Sequence, residues 1–323
     1  MPVPALPSRD DGALSMGPES ELDAVAMLTV ITVVRNDLAG LRSTHASLRS
    51  QTCRRFTWIV VDGASTDGTA EYLKRHHDEL FWWCSQPDGG IFDAMNRGLA
   101  AVRSNYLFFL NAGDTLPEPN TLARALARLE AADWPDLAYA DALERTADGP
   151  IFLKRSRAPA WIWYGMFTHH QAILYRRGAC HGIDFDTRYS IGADYAFTIE
   201  AMAHACTLLK LEHPLAICAP PGRSAEFAEI GRRDQWRIRS RLLGIPQWCC
   251  AAIACFQMAA WTVRRLAPGL FHRFRFGEAS AQLTPVGHGR TGHPEAGTVV
   301  HPPPWVAARV RAHTHRGLTS GSG

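Results

Sequence analysis

No two cysteines in this chain form a Cys-x-x-Cys pair; all eight, at 53, 84, 180, 206, 218, 249, 250 and 255, are scattered. That argues against a zinc ribbon or a disulfide framework and fits a reducing compartment. G-x-G-x-x-G is missing too: the turn after the first strand reads Arg35-Asn-Asp-Leu-Ala-Gly40. A nicotinamide-dependent oxidoreductase on a Rossmann sheet is therefore disfavoured. There is no internal repeat. Long apolar runs are scarce. Ile245 to Val263 is nearly long enough to cross a bilayer and precedes Arg264-Arg265, yet it carries Pro246, Gln247 and Gln257 and is rich in Ala and Cys. Its marginal hydropathy favours an interfacial or buried helix over a span. Residues 1–26 are rich in Pro and acids and have no apolar core flanked by Lys or Arg. They read as a disordered leader, not a secretory signal. Residues 277–323, rich in Gly, Pro, His and Thr with little periodicity, are expected to form a disordered tail.

Acids are nearly absent between Gly231 and Phe276. Nine arginines (232, 233, 237, 239, 241, 264, 265, 273 and 275) stand there against Asp234 alone. The chain's formal charge of +3 thus hides a basic segment, with the remainder at about −5. Such a segment points to an anionic partner, either a membrane surface or a phosphorylated lipid; a solvated basic helix without a partner is the plainer reading. No nucleic-acid partner is expected. With 323 residues, 46% of them hydrophobic, the chain can bury the core of one large domain plus an appendage.

What is present is an alternation of strands and helices. Leu28 to Val34 is a continuous β-branched run suited to a strand buried on both faces. Phe56 to Val61 ends at Asp62, and Ser65-Thr66-Asp67 supplies caps for the next helix. Phe81 to Ser85 is a short strand. Ile91, Met95, Gly98, Leu99 and Val102 form one apolar helical stripe after the break at Pro87-Asp-Gly-Gly90. Tyr106 to Leu110 is a strand that runs into Asn111-Ala-Gly-Asp114. This order predicts an α/β fold with a mostly parallel, Rossmann-like sheet flanked by helices. Further strands are expected near Leu137–Asp141, Gly149–Lys154, Gln171–Tyr175 and Leu208–Cys218, with a helix from Asp194 to Ala205. Ligands of open α/β sheets bind at the carboxyl ends of the strands. The two acids that end strands, Asp62 and Asp114, accordingly suggest a site for a sugar or nucleotide.

Four segments, in order, are Thr29-Val-Ile-Thr-Val-Val-Arg-Asn36, Val60-Val-Asp-Gly-Ala-Ser-Thr-Asp-Gly-Thr69, Asp88-Gly-Gly-Ile-Phe-Asp-Ala-Met-Asn-Arg-Gly98 and Leu110-Asn-Ala-Gly-Asp114. Over residues 27–225 the chain resembles the family 2 glycosyltransferases, with the nucleotide-diphospho-sugar transferase (GT-A) fold. The pattern is similar to the branch that builds bacterial exopolysaccharides such as colanic acid. The resemblance implies an inverting glycosyltransferase that moves a hexosyl or deoxyhexosyl group from a UDP- or GDP-sugar to a glycan on polyprenyl diphosphate. A fold-retaining, non-catalytic binding protein is the alternative.

The same resemblance assigns Asn36, Asp62, Asp88, Asn96, Asn111 and Asp114 to the donor site. Asp62 would receive the base or ribose, or else cap a turn; Asp88 and Asn96 would line the pocket or flank their helix. Asp114 stands for the last acid of the family's Asp-x-Asp motif, whose first acid is absent here. Together with the sugar diphosphate it would hold Mg²⁺ or Mn²⁺. Asp194 falls at the catalytic base. His170 and Gln171 would orient the acceptor or meet the donor phosphates, and Arg223 would pair with a diphosphate. Residues 226–276 would form a helical segment that docks the protein on the inner, cytoplasmic face of the membrane through Trp236, Trp248 and Trp261.

Overall fold

The computed structural model describes residues 15–16, 26–146, 149–220, 227–266 and 296–319. The strands are β1 (Ser15–Met16), β2 (Leu28–Val34), β3 (Phe56–Asp62), β4 (Trp82–Ser85), β5 (Tyr106–Phe109), β6 (Leu137–Tyr139), β7 (Ala142–Arg145), β8 (Ile151–Lys154), β9 (Ile173–Arg176), β10 (Leu208–Lys210), β11 (Ile217–Cys218) and β12 (Val299–Val300). The helices are α1 (Leu38–Arg49), α2 (Thr69–Arg75), α3 (Ile91–Ala100), α4 (Thr121–Ala131), α5 (Ala193–His204), α6 (Ala228–Arg241), α7 (Gln247–Leu266) and α8 (Pro304–Thr319).

Nine strands form one sheet in the order β1-β4-β3-β2-β5-β9-β6-β10-β12. β4, β3, β2 and β5 run parallel, as crossover helices require. β9 is antiparallel to both neighbours, and β6 and β10 are again parallel. A second sheet, β11-β7-β8, stands beside this one. β2 is buried along its whole length, and its alternating side chains enter two cores. Ile31 and Val33 join Ile59, Val61 and Met95 on the face covered by α3, α5 and α8. Val30 and Val34 join Leu41, Leu73 and Leu122 on the face covered by α1, α2 and α4.

The buried stripe of α3 is Phe92, Ala94, Met95 and Gly98, whereas Ile91, placed in the stripe by spacing alone, is exposed. Gly98 lets this helix lie on the sheet, since a Cβ there would stand 2.5 Å from Ile31 Cγ2.

Parts of both ends expected to be disordered are described by the structure. Ser15–Met16 pairs antiparallel with β4, although its neighbours in the expected leader lie outside the described residues. In the tail, β12 adds an antiparallel edge to β10 and α8 packs on α5. Val306 and Val310, one helical turn apart, are buried there. The few apolar residues of a Pro- and His-rich stretch thus supply one edge strand and one helix face. α6 and α7 also pack together, and α6 packs on α5.

Candidate active site

The carboxyl ends of β2, β3 and β4 are level, with Val34 opposite Asp62 and Asp62 opposite Ser85. Here the chain makes two left-handed turns at non-glycine residues, Asn36 (φ 52°) and Ala64 (φ 58°). Asn tolerates that region; Ala there costs roughly 1 kcal/mol. Hydrogen bonds hold the strained pair of turns together. The Asn36 backbone N–H donates to Ser65 Oγ at 2.7 Å, and Asn36 Oδ1 accepts from Thr66 N at 2.8 Å. Asp62 is wholly buried and accepts from the Ser65 N–H (3.2 Å), the Ser65 hydroxyl and the Ser85 hydroxyl (2.6 Å). Asp88 lies against Gly63, so closely that a Cβ at 63 would come 2.4 Å from its carboxylate. Asn36, Asp62 and Asp88 therefore gather at the carboxyl ends of β2, β3 and β4. Asp67 is a cap, as its position suggests: its carboxylate accepts from Leu38 N at 2.8 Å and from the Thr69 hydroxyl at 2.6 Å.

The second group forms at the end of β5. Asn111-Ala-Gly-Asp114 turns sharply through Gly113 (φ 90°), where a Cβ would press on Ala219 at 3.3 Å. Thr44 of α1 pins the turn, donating to the Asp114 carbonyl at 2.7 Å and accepting from Gly113 N at 3.1 Å. The Asp114 carboxylate is buried and accepts from Gln171 Nε2 at 3.0 Å and from Ala219 N at 2.8 Å. Next to Gln171, His170 Nδ1 lies 3.3 Å from Asp194 Oδ2, and its Nε2 lies 3.5 Å from Asn111 Nδ2. One 3₁₀ turn, His170–Ala172, thus bridges the acid at the end of β5 to the acid in the first turn of α5. It replaces the first part of the strand expected from Gln171 onward.

Asp194 is positioned from behind by α6. Asp234 Oδ2 accepts the N–H groups of Ile191 (2.9 Å) and Gly192 (3.2 Å) at the start of α5. This is a capping interaction made by a distant residue. Gly192 allows the approach, as a Cβ there would lie 2.9 Å from Asp234 Cβ.

Burial pushes the Asp114 carboxyl up from its ordinary value, against the bonds from Ala219 and Gln171 that favour the anion. In the same cluster Asn111 Oδ1 and Gln171 Oε1 are buried without a hydrogen-bond partner among the described residues. Buried unsatisfied acceptors are rare and call for a reason. Two amide oxygens beside a carboxylate make an all-oxygen donor set, which fits Mg²⁺ or Mn²⁺ better than a softer metal.

Three polar residues border this group. His169 Nε2 is 2.7 Å from Glu144 Oε1, and Lys154 Nζ is 2.8 Å from the same oxygen. Burial alone would raise Glu144, but the His169 bond and the Lys154 charge hold it well below the usual carboxylate range. Burial lowers His169. The two adjacent histidines thus point to different partners, one to Glu144 and one to Asp194.

Not every expected residue joins the cleft. The Asn96 amide is taken up by the backbone of Phe185, donating to its carbonyl at 2.9 Å and accepting its N–H at 2.7 Å. Its side chain is a structural clamp between α3 and the loop before α5. Arg223 lies outside the described residues. Sequence reasoning missed Thr44, Glu144, Lys154, Ala219 and Asp234. Only Asp234, the lone acid in a run of arginines, left a signal.

The model of the family described as Glycosyl transferase family 2 matches residues 29–185. The PGL/p-HBAD biosynthesis glycosyltransferase of Mycobacterium tuberculosis is 32% identical over 198 residues, which is 59% of this chain and 75% of that protein. The chain belongs to glycosyl transferase family 2. This glycosyltransferase shares its fold with solved relatives at lower identity. S. aureus TarS 1–349, solved in complex with UDP-GlcNAc, is 18% identical with a TM-score of 0.58, over 77% of this chain and 78% of that one. The mannosyltransferase PcManGT from Pyrobaculum calidifontis, in complex with GDP-Man and Mn²⁺, is 18% identical with a TM-score of 0.54, over 80% and 76%. The GT-A fold expected from the four motifs is therefore present.

Proposed function

We propose that this glycosyltransferase moves a sugar, with inversion, from a UDP- or GDP-linked donor to a glycan carried on polyprenyl diphosphate. The reading places it in exopolysaccharide or capsule biosynthesis at the cytoplasmic face of the membrane. The observation that carries the chemistry is the bridge from Asp114 through Gln171 and His170 to Asp194. An acid suited to a cation and an acid suited to a proton are held at fixed separation by one turn of chain. The acceptor hydroxyl oxygen would bond to the anomeric carbon while the bond from that carbon to the nucleoside diphosphate breaks. The electron pair leaves with the diphosphate, and Asp194 takes the hydroxyl proton. His170, against Asp194 Oδ2, would orient the carboxylate. Asn36, Asp62 and Asp88 would frame the nucleoside, with the Ser65 and Ser85 hydroxyls between Asp62 and the ligand. Asp114, Asn111 and Gln171 would hold a divalent cation, which when bound neutralises charge on the departing diphosphate. The donor classes are supported by the UDP-GlcNAc of TarS and the GDP-Man of PcManGT, and the metal by the Mn²⁺ of PcManGT.

Calorimetric titration with UDP and GDP, each with and without Mn²⁺, tests this reading. Metal-dependent binding of one nucleotide is expected; binding of neither would overturn it.

Membrane docking rests on α6 and α7. No helix among the described residues is long and apolar enough to cross a membrane. α7 instead exposes Trp248 (75%), Phe256 (66%) and Leu266 (78%). A concavity between α6 and α7 is lined by Arg232, Arg233, Trp236 and Arg237. Exposed aromatic and basic side chains on this helix pair suit an anionic lipid interface. Two members of the basic segment serve elsewhere. Arg239 is fully buried, donating to the carbonyls of Trp163 (2.9 Å) and Tyr164, and Asp234 caps α5. Removing residues 231–323 would therefore damage the catalytic domain, so point changes are the sound probe. Arg233→Glu, Arg237→Glu and Trp248→Ser combined should cut binding to phosphatidylserine vesicles at least about tenfold, at roughly 1 kcal/mol per basic residue. Unchanged flotation would refute the docking face.

A further inference from the structure

On the sheet face covered by α1, α2 and α4, α1 meets the end of α2. There, among the described residues, His45, His76 and Glu79 bring one ligand atom each to within 4.8 Å of one another. They form the one such group of three His, Cys, Asp or Glu side chains in those residues. His45 projects from α1 and is buried; His76 is the C-cap of α2, and Glu79 closes the following 3₁₀ turn. The turn is tight, since the Glu79 N–H donates to the His76 carbonyl at 3.0 Å.

The imidazoles are arranged as ligands usually are. A metal-bound histidine commonly donates its other ring N–H to a carbonyl or another fixed acceptor, which sets tautomer and orientation. His76 Nδ1 is 2.9 Å from the Tyr72 carbonyl, which has no proton to give, so Nδ1 is the donor and Nε2 carries the lone pair of the neutral ring. His45 Nδ1 is 2.7 Å from the Tyr72 hydroxyl, which can accept in the same way. One residue, Tyr72, thus orients both rings. Their centroids are 5.2 Å apart with planes at 90°. His45 Nε2 lies 3.2 Å from Glu79 Oε2, close to the edge of about 3.3 Å expected between two ligands of tetrahedral zinc with bonds near 2.0–2.1 Å. Burial lowers His45, while Glu79 opposes that shift. The bland alternative is a hydrogen bond from His45 to Glu79, which Arg49 Nε also approaches at 3.5 Å. That arrangement leaves no use for His76 Nε2.

We propose that His45, His76 and Glu79 bind a zinc ion, with water in the fourth position, and that the metal clips α1 to the end of α2. Two nitrogens and a carboxylate suit Zn²⁺ and do not suit the hard cation expected at Asp114. The site is separate from sugar transfer but not unconnected. Thr44, beside His45, holds the turn of Asp114, so the clip would steady α1 where it supports the donor site.

The test uses full-length protein without an affinity tag, stripped with chelator and equilibrated with Zn²⁺. Histidines of the C-terminal tail and the Asp114 cluster can also take zinc, so the reading is a difference between proteins. The wild type should retain one more zinc per chain than His76→Ala or Glu79→Gln, with affinity at the site falling about 100-fold or more. Zinc should raise the melting temperature of the wild type and of Asp114→Asn, but not of His76→Ala. Cobalt should give the visible absorption of a four-coordinate site only where His76 and Glu79 are intact. His76 and Glu79 are not buried, so both variants should fold, and circular dichroism checks this. Equal zinc content and equal melting shifts in wild type and both variants would overturn the proposal.

Discussion

Replacing Asp194 by Asn is expected to slow sugar transfer by about 10²–10⁴-fold, the range for loss of a positioned general base. Nucleotide affinity should stay within about twofold, because Asp194 belongs to the acceptor side of the bridge in this reading. Asn is the right probe. Its Oδ1 can still accept the Tyr195 N–H that Asp194 Oδ1 takes at 2.8 Å, and its Nδ2 can face His170, but it cannot accept a proton from a hydroxyl. The competing explanation is that Asp194 merely stabilises the first turn of α5. A first-turn acid contributes about 0.3–1 kcal/mol, and Asp234 already holds the N–H groups of Ile191 and Gly192 just before this helix. On that account the variant would melt slightly earlier and stay active in proportion to its folded fraction. Rates measured well below the melting temperature, at saturating donor and acceptor, separate the two. A folded Asp194→Asn protein with near wild-type kcat would remove Asp194 from the chemistry.

Reading the sequence located this bridge unevenly, and the reasons are physical. Asp62, Asp114 and Asp194 were legible because an acid at a strand end or helix start stands out against apolar runs. Asn36 was placed only by the family resemblance; the left-handed turn it adopts, which Asn tolerates, became visible in the structure. The mixed part of the sheet was not: β9 inserts antiparallel between β5 and β6, and a four-residue strand carries no mark of its direction. Asn96 lies in a matching motif, yet a motif match says nothing about Phe185, eighty-nine residues away, whose backbone occupies the amide. Lys154, opposite Ala142, and Glu144, opposite Phe152, are diagonal on the β7-β8 hairpin and meet His169 only in three dimensions. The described part of the C-terminal tail, residues 296–319, was not legible for a different reason. Its composition is that of disorder, but Val299, Val300, Val306 and Val310 suffice once β10 offers an open edge and α5 an uncovered face. Composition averages over a segment, whereas docking depends on a few residues and on what they meet.

Asp114→Asn should abolish metal-dependent nucleotide binding while leaving the protein as stable as before or more so. The stability half follows from linkage. Burial raises the folded-state carboxyl above its ordinary value of 3.8, so the folded protein holds this proton more tightly than the unfolded chain. Below the unfolded value both states are protonated and the burial penalty is absent. As pH rises through the folded-state value the advantage of the protonated form is lost, and above that value the wild type carries the full cost of a buried anion. Asn removes that cost. Its Oδ1 can keep the Ala219 N–H, and its Nδ2 can donate to Gln171 if that amide turns to present Oε1, an oxygen otherwise without a partner. The functional half follows from charge. Asp114 is the only carboxylate of the Asn111–Asp114 turn, and neutral amide oxygens alone hold Mg²⁺ or Mn²⁺ weakly. Calorimetry with Mn²⁺ and the preferred nucleotide should thus show affinity falling by about 100-fold or more, alongside a melting temperature equal to or above wild type in metal-free buffer. Metal affinity of the wild type should also rise with pH over the range in which Asp114 ionises. Binding that survives Asp114→Asn with its Mn²⁺ dependence intact would move the cation to other ligands. A marked loss of metal-free stability would mean that the carboxylate is a structural acceptor for Ala219 and Gln171.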